Sequence, residues 1–184
     1  ALSESVWQRA QRLGAVPPSV RACLRPEVHA VGDRFALLPA PLVQRHTHGD
    51  LTAWFDALPT PEGLPRIGLA HGCVTGVLPQ ELDSANPIAA DRATTAGLDY
   101  LALGDWHGTR RMDARTWYAG TPETDRFRDN DSGQALLVTL DGQGAEPQVQ
   151  PLRTGRHRWR QHEARLAVPS DVDEALRVLA SAAP

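Results

Sequence analysis

Tyr100–Leu103 is an uninterrupted apolar run, short enough for a strand buried on both faces, and Gly104 stops it. Asp105 and His107 follow at i and i+2. A tight turn at the strand's C-terminal end would therefore present a carboxylate and an imidazole together. For one such turn alone, a strand end capped by polar turn residues is the better reading. A second stretch repeats the pattern, because Arg66–Gly72 is again an apolar strand closed by a His-Gly pair, His71-Gly72. Between the two, Asn86–Gly97 reads as a crossover helix, with Asn86 as N-cap, Pro87 at the first helical position and Gly97 at the C-terminal cap. Strand, helix and strand make a βαβ unit with parallel strands. Parallel strands end on the same side of a sheet, where open α/β sheets hold their ligands. His71, Asp105 and His107 are thus expected to converge on one edge, and imidazole with carboxylate suits Mn, Fe or Zn.

At these residues a family resemblance enters. His71-Gly72, Gly104-Asp105-Trp106-His107 and Trp117-Tyr118-Ala119-Gly120-Thr121-Pro122-Glu123 resemble the later half of a calcineurin-like metallophosphoesterase. The similar branch is that of the DNA-repair exonucleases (SbcD-like). Such enzymes hold two metal ions with Asp-x-His, Gly-Asp-x-x-Asp and Gly-Asn-His-Asp/Glu motifs early in the chain, followed by a single His and a Gly-His-x-His motif. On this resemblance His71 is the single His and His107 the last His of the final motif. Asp105 stands where the first His of that motif usually is, which changes the charge of the site and its metal preference. The three early motifs are absent.

The resemblance implies an α+β fold, part of a four-layer α/β/β/α sandwich in which the βαβ unit is followed by an antiparallel meander. Residues 1–155 would be the later part of the phosphoesterase domain, and 156–184 the start of a C-terminal extension leading to a capping domain. It implies a metal-dependent hydrolase of phosphodiesters with two divalent ions, manganese first and Mg, Fe or Zn as alternatives. His71, Asp105 and His107 would be metal ligands rather than acids or bases. The resemblance lacks its opening half, so the chain is expected to be a piece of a longer protein, and inactive alone because three ligands cannot supply two coordination shells. DNA or another phosphodiester would be the substrate, with a partner ATPase subunit or a homo-oligomer as the implied associations. Two other functions stay open: a catalytically silent module that binds nucleic acid or a partner, and a small-molecule phosphodiesterase or phosphatase on the same fold.

The remaining sequence sets limits. At 184 residues the chain reads as one domain, large enough for a real core. Its formal charge of −3 gives no global nucleic-acid footprint. Every basic residue is arginine, which reads as a coding bias rather than as chemistry. Cys23 and Cys73 form neither a metal-type pair nor a disulfide framework, so a reducing cytoplasm is expected. No apolar run approaches membrane-spanning length, and Ala1–Gln11 lacks a signal-peptide core.

In order along the chain, Ser3–Leu13 reads as an amphipathic helix ending at Gly14. Val28–Val31 and Arg34–Leu38 read as a hairpin about Gly32-Asp33, with Pro39-Ala40-Pro41 ending its second strand. His46-Thr47-His48 is followed by an expected helix, Leu51–Leu58. Its neighbours look like exposed loop, so His46 and His48 are read as solvent-facing rather than as ligands. Arg110-Arg111 is the candidate substrate contact, meeting a phosphate, with a solvated loop as the alternative. Thr116–Ala119 and Gln134–Leu140 read as strands, the second buried; Gln148–Leu152 pairs back after a turn at Asp141–Gly144. Arg153–Arg165 sets five arginines against Glu163 around Trp159, a stretch that could track a phosphate backbone but reads first as a solvated linker. Val172–Leu179 starts a helix.

Overall fold

The computed structural model describes residues 5–76, 86–125, 130–157, 159 and 162–181. Its elements in chain order begin with α1 (Val6–Arg12), β1 (His29–Val31), β2 (Phe35–Ala40) and a 3-10 turn (Ala53–Asp56). Then come β3 (Arg66–His71), β4 (Cys73–Val74), β5 (Pro87–Ile88), α2 (Arg92–Thr95) and β6 (Tyr100–Gly104). The rest are β7 (Arg110–Arg111), β8 (Thr116–Tyr118), β9 (Gln134–Thr139), β10 (Gln148–Arg153) and α3 (Pro169–Ser181). The chain is a mixed α+β protein whose core is a β-sheet.

The described residues form a six-stranded sheet in the order β1-β2-β3-β6-β8-β7. Strands β2, β3, β6 and β8 run parallel, while β1 and β7 close the two edges antiparallel. The parallel pairing of β3 with β6, in the register Ala70↔Leu103 and His71↔Gly104, is the one expected from their apolar runs. One face of the sheet carries Leu38, Ala70, Leu101, Leu103 and Tyr118, all buried against Phe55, Ile88, Ala93 and Leu98 from the crossovers. Each large apolar side chain so buried stabilises the fold by about 2 kcal/mol.

The hairpin turns at Gly32-Asp33 as its composition suggests. The helix α1 has a capping box: Ser5 Oγ accepts the Gln8 N–H at 3.1 Å and Gln8 Oε1 accepts the Ser5 N–H at 2.8 Å. No α1 residue is buried, and Val6 and Trp7 are exposed.

Several elements differ from expectation. The crossover helix is only Arg92–Thr95; Pro87 lies in β5, and Asn86 is no helix cap but sits at φ 61°. Its side chain is used elsewhere: Asn86 Oδ1 accepts the Thr47 N–H at 2.8 Å and the Thr47 hydroxyl at 2.9 Å. Asn is among the few residues that tolerate that backbone region. The segment expected to be helical over Leu51–Leu58 makes a single 3-10 turn, because Asp50 caps Thr52 N–H at 2.8 Å and Pro59 forbids extension. Arg110-Arg111 is an edge strand rather than a loop. The second half is not one meander: β8 joins the parallel sheet, and only β9 and β10 form a separate antiparallel ladder. Strand β9 is half-exposed rather than buried, because it pairs with β10 alone. The helix α3 is longer than expected at Pro169–Ser181 and buries nothing. Among the described residues, no helix is long and apolar enough to cross a membrane.

Candidate functional site

Strands β3, β6 and β8 end at His71, Gly104 and Tyr118, so the turns that follow them share one edge of the sheet. His71 and Asp105 meet there, with His71 Nε2 3.4 Å from Asp105 Oδ1. Both side chains are about half exposed, at 51% and 48%, and are open to a ligand from solvent. Gly104 makes room for the ring: a Cβ there would lie 2.9 Å from His71 Nδ1.

Asp105 has φ 103°, beyond the left-handed region where Asn86 and Asp131 sit at 61° and 57°. A side chain held in such a conformation costs on the order of 1–3 kcal/mol, and glycine would escape that strain. In this conformation the carboxylate lies beside the His71 ring.

His107 takes a different partner. Its Nδ1 lies 2.5 Å from Asp125 Oδ2, in the loop after β8. Which of the two donates depends on the tautomer of the ring. The His107 carbonyl accepts the Thr121 N–H at 2.9 Å and the Thr121 hydroxyl at 3.3 Å. Among the described residues, no three His, Cys, Asp or Glu side chains are grouped so as to hold one metal ion. The edge thus brings His71 to Asp105 and His107 to Asp125.

Tyr118 braces the edge from below. It is fully buried, its hydroxyl donates to the Gly72 carbonyl at 2.7 Å and accepts the Val74 N–H at 3.1 Å. Burial pushes its pKa up to about 12, so the phenol keeps the proton it donates. Burial, and then the negative charge of Asp105, also raise the Cys73 thiol above its ordinary value.

The two arginines separate. In the β7–β8 ladder Arg110 pairs with Tyr118 and Arg111 with Trp117, so successive side chains leave opposite faces. The Arg110 guanidinium lies 5.8 Å from the Trp106 ring centroid, beside the turn that carries Asp105 and His107. The Arg111 guanidinium lies 5.7 Å from the Trp117 ring, and its Nε donates to the Asp113 carbonyl at 3.0 Å. His46 and His48 are exposed, because Thr47 between them is buried on Asn86. In the basic stretch, Arg158 and Arg160 lie outside the described residues, and Arg153, Arg156, Trp159 and Arg165 are all exposed.

Asp125, Tyr118 and Asn86 carry roles that the sequence reading did not assign. Asp125 falls two residues beyond the Trp117–Glu123 motif, and that position was its only signal. Compared with known proteins, the chain matches no protein-family model and no curated protein.

Proposed function

We propose that this chain supplies part of the metal site of a calcineurin-like metallophosphoesterase acting on phosphodiesters, of the DNA-repair exonuclease type. The observation that carries this reading is the strained Asp105 set against His71 at the ends of neighbouring parallel strands. Neighbouring donors about 2.1 Å from one ion lie roughly 3.0 Å apart on an octahedral ion and roughly 3.4 Å apart on a tetrahedral one. The His71–Asp105 separation of 3.4 Å fits that geometry.

His71 and Asp105 would hold an ion, with His107 contributing from the same edge. Imidazole and carboxylate donors together suit Mn, Fe or Zn; the resemblance puts manganese first, with Mg, Fe and Zn as alternatives. Such ions, when bound, stabilise the charge that builds on a phosphoryl oxygen. Arg110, held against Trp106 beside the turn, is the cation best placed to orient a phosphate; Arg111 is engaged with Asp113. The four-layer sandwich belongs to the same reading. Parallel sheets bury both faces, yet Leu69 on β3 is 46% exposed, and a further layer over it would complete the sheet.

The test uses Asp105→Gly with two readouts. Denaturant unfolding of the variant should show a gain of about 1 kcal/mol from released strain. Mn²⁺-dependent hydrolysis of a chromogenic phosphodiester is measured on the chain extended by the residues encoded ahead of Ala1. There the variant should lose most turnover, and His71→Ala should do the same. Undiminished hydrolysis in both variants would reduce Asp105 to a turn residue and end the proposal.

A further inference from the structure

We infer that Asp125 is the positioning residue of His107, fixing both the orientation and the tautomer of its ring. The two residues are 18 apart in sequence and come from different turns, one after β6 and one after β8. Other contacts join the same turns, among them the Thr109 hydroxyl, which donates to the Ala119 carbonyl at 3.0 Å. The Thr121 N–H and hydroxyl hold the His107 carbonyl, and four residues later Asp125 holds the His107 side chain. A ring fixed at both its backbone and its Nδ1 cannot turn about χ1 without breaking one attachment.

The loop that carries Asp125 is itself braced. Glu123 accepts the backbone N–H groups of Arg156 at 3.0 Å and His157 at 2.9 Å, and the Thr154 hydroxyl donates to the Pro122 carbonyl at 2.6 Å. The segment after β10 therefore anchors the loop from outside. On the other side, the Gly133 N–H donates to the Thr121 carbonyl at 2.8 Å and the Ser132 hydroxyl donates to the Thr124 hydroxyl at 3.4 Å. Asp125 is thereby held from both directions, as a residue that orients another must be.

The chemical consequence follows from proton placement. The carboxylate takes the Nδ1–H, so in the neutral ring the lone pair is on Nε2. Carboxylates placed on the far nitrogen of a histidine raise its basicity as a ligand and fix its direction. That use of the ring rests on the metallophosphoesterase reading; the tautomer itself does not.

The experiment is heteronuclear NMR of the chain with ¹⁵N-labelled histidine at about pH 9, where an imidazole is ordinarily neutral, followed by calorimetric titration with Zn²⁺. Wild-type His107 should be mainly Nδ1-protonated. Asp125→Ala should move it toward the Nε2-protonated form common in unconstrained imidazole, and should weaken Zn²⁺ binding by roughly 10–100-fold. The wild-type measurement needs no variant, so it stands even if Asp125→Ala folds poorly. A wild-type ring protonated on Nε2, or a tautomer unchanged in Asp125→Ala, overturns the inference. A shifted tautomer with unaltered Zn²⁺ affinity supports the orientation by Asp125 and counts against His107 as a metal ligand. A shifted tautomer in a chain that binds no Zn²⁺ supports the orientation by Asp125 and counts against the proposed metal site instead.

Discussion

Asp50→Ala is expected to cost about 3 kcal/mol of folding stability, the low end of the range for breaking a buried ion pair. Asp50 is a junction of the crossover that backs the sheet. Its carboxylate accepts the Thr52 N–H at 2.8 Å, the Ala89 N–H at 3.0 Å and Arg92 Nη2 at 2.9 Å, together with the Thr52 hydroxyl. The Arg92 side chain is only 8% exposed and bonds Asp56 with its other terminal nitrogen at 2.8 Å. Removing Asp50 leaves a buried guanidinium half-paired and frees two backbone donors. Asp56 still neutralises part of the charge, which keeps the loss at the low end.

The same site predicts a pH dependence. Burial alone would raise the Asp50 pKa, but the hydrogen bonds from Thr52, Arg92 and Ala89 outweigh it and hold the carboxyl below its usual value. A depressed folded pKa contributes stability that is fully present above the ordinary carboxylate range and is lost as the pH falls through the lower folded value. Denaturant midpoints should therefore drop below about pH 4 in wild type. In Asp50→Ala that drop should be shallower. Equal acid sensitivity in the two proteins would remove Asp50 from the account of stability.

Gly108→Ala is expected to cost about 3 kcal/mol, the upper part of the overpacking range. A Cβ at this position would lie 1.7 Å from the Asn130 carbonyl oxygen and 2.8 Å from its carbon. Those are backbone atoms, which cannot rotate aside, so two chain segments must part. The segments concerned are the turn holding His107 and the one running into β9. Urea unfolding measures the loss directly. The ¹⁵N signature of His107 should change in parallel, because the parted turn no longer sets its ring on Asp125. A variant as stable as wild type would show that the close approach is not maintained in solution.

The parallel β3–β6 pair was legible because both runs are continuous apolar stretches with abrupt polar ends, although β3 leaves Leu69 exposed on one face. The meeting of His71 with Asp105 then follows from the adjacent strand ends together with the φ of 103° at Asp105. The hairpin at Gly32-Asp33 and the β9–β10 ladder were equally legible, since their turns are local. Asn86 was misread for the opposite reason. Asn-Pro is a good helix start locally, but the residue that decides its use, Thr47, lies 39 positions away. The partner of His107 was hidden in the same way, 18 residues downstream and past the end of the motif. The half-exposure of β9 depends on which sheet it joins, and an apolar run carries no record of that.

The central claim is that the strand ends at His71 and Asp105 form a place for a divalent ion, with His107 beside them. Substoichiometric Mn²⁺ titrated into the uniformly ¹⁵N-labelled chain tests it most directly, because the paramagnetic ion broadens amide resonances by proximity. The account predicts that His71 and Gly104–Gly108 fade first, while His46 and His48 in their exposed loop persist. Broadening that begins at His46 and His48, or that spreads over the surface while the His71 and Asp105 resonances stay sharp, would contradict it.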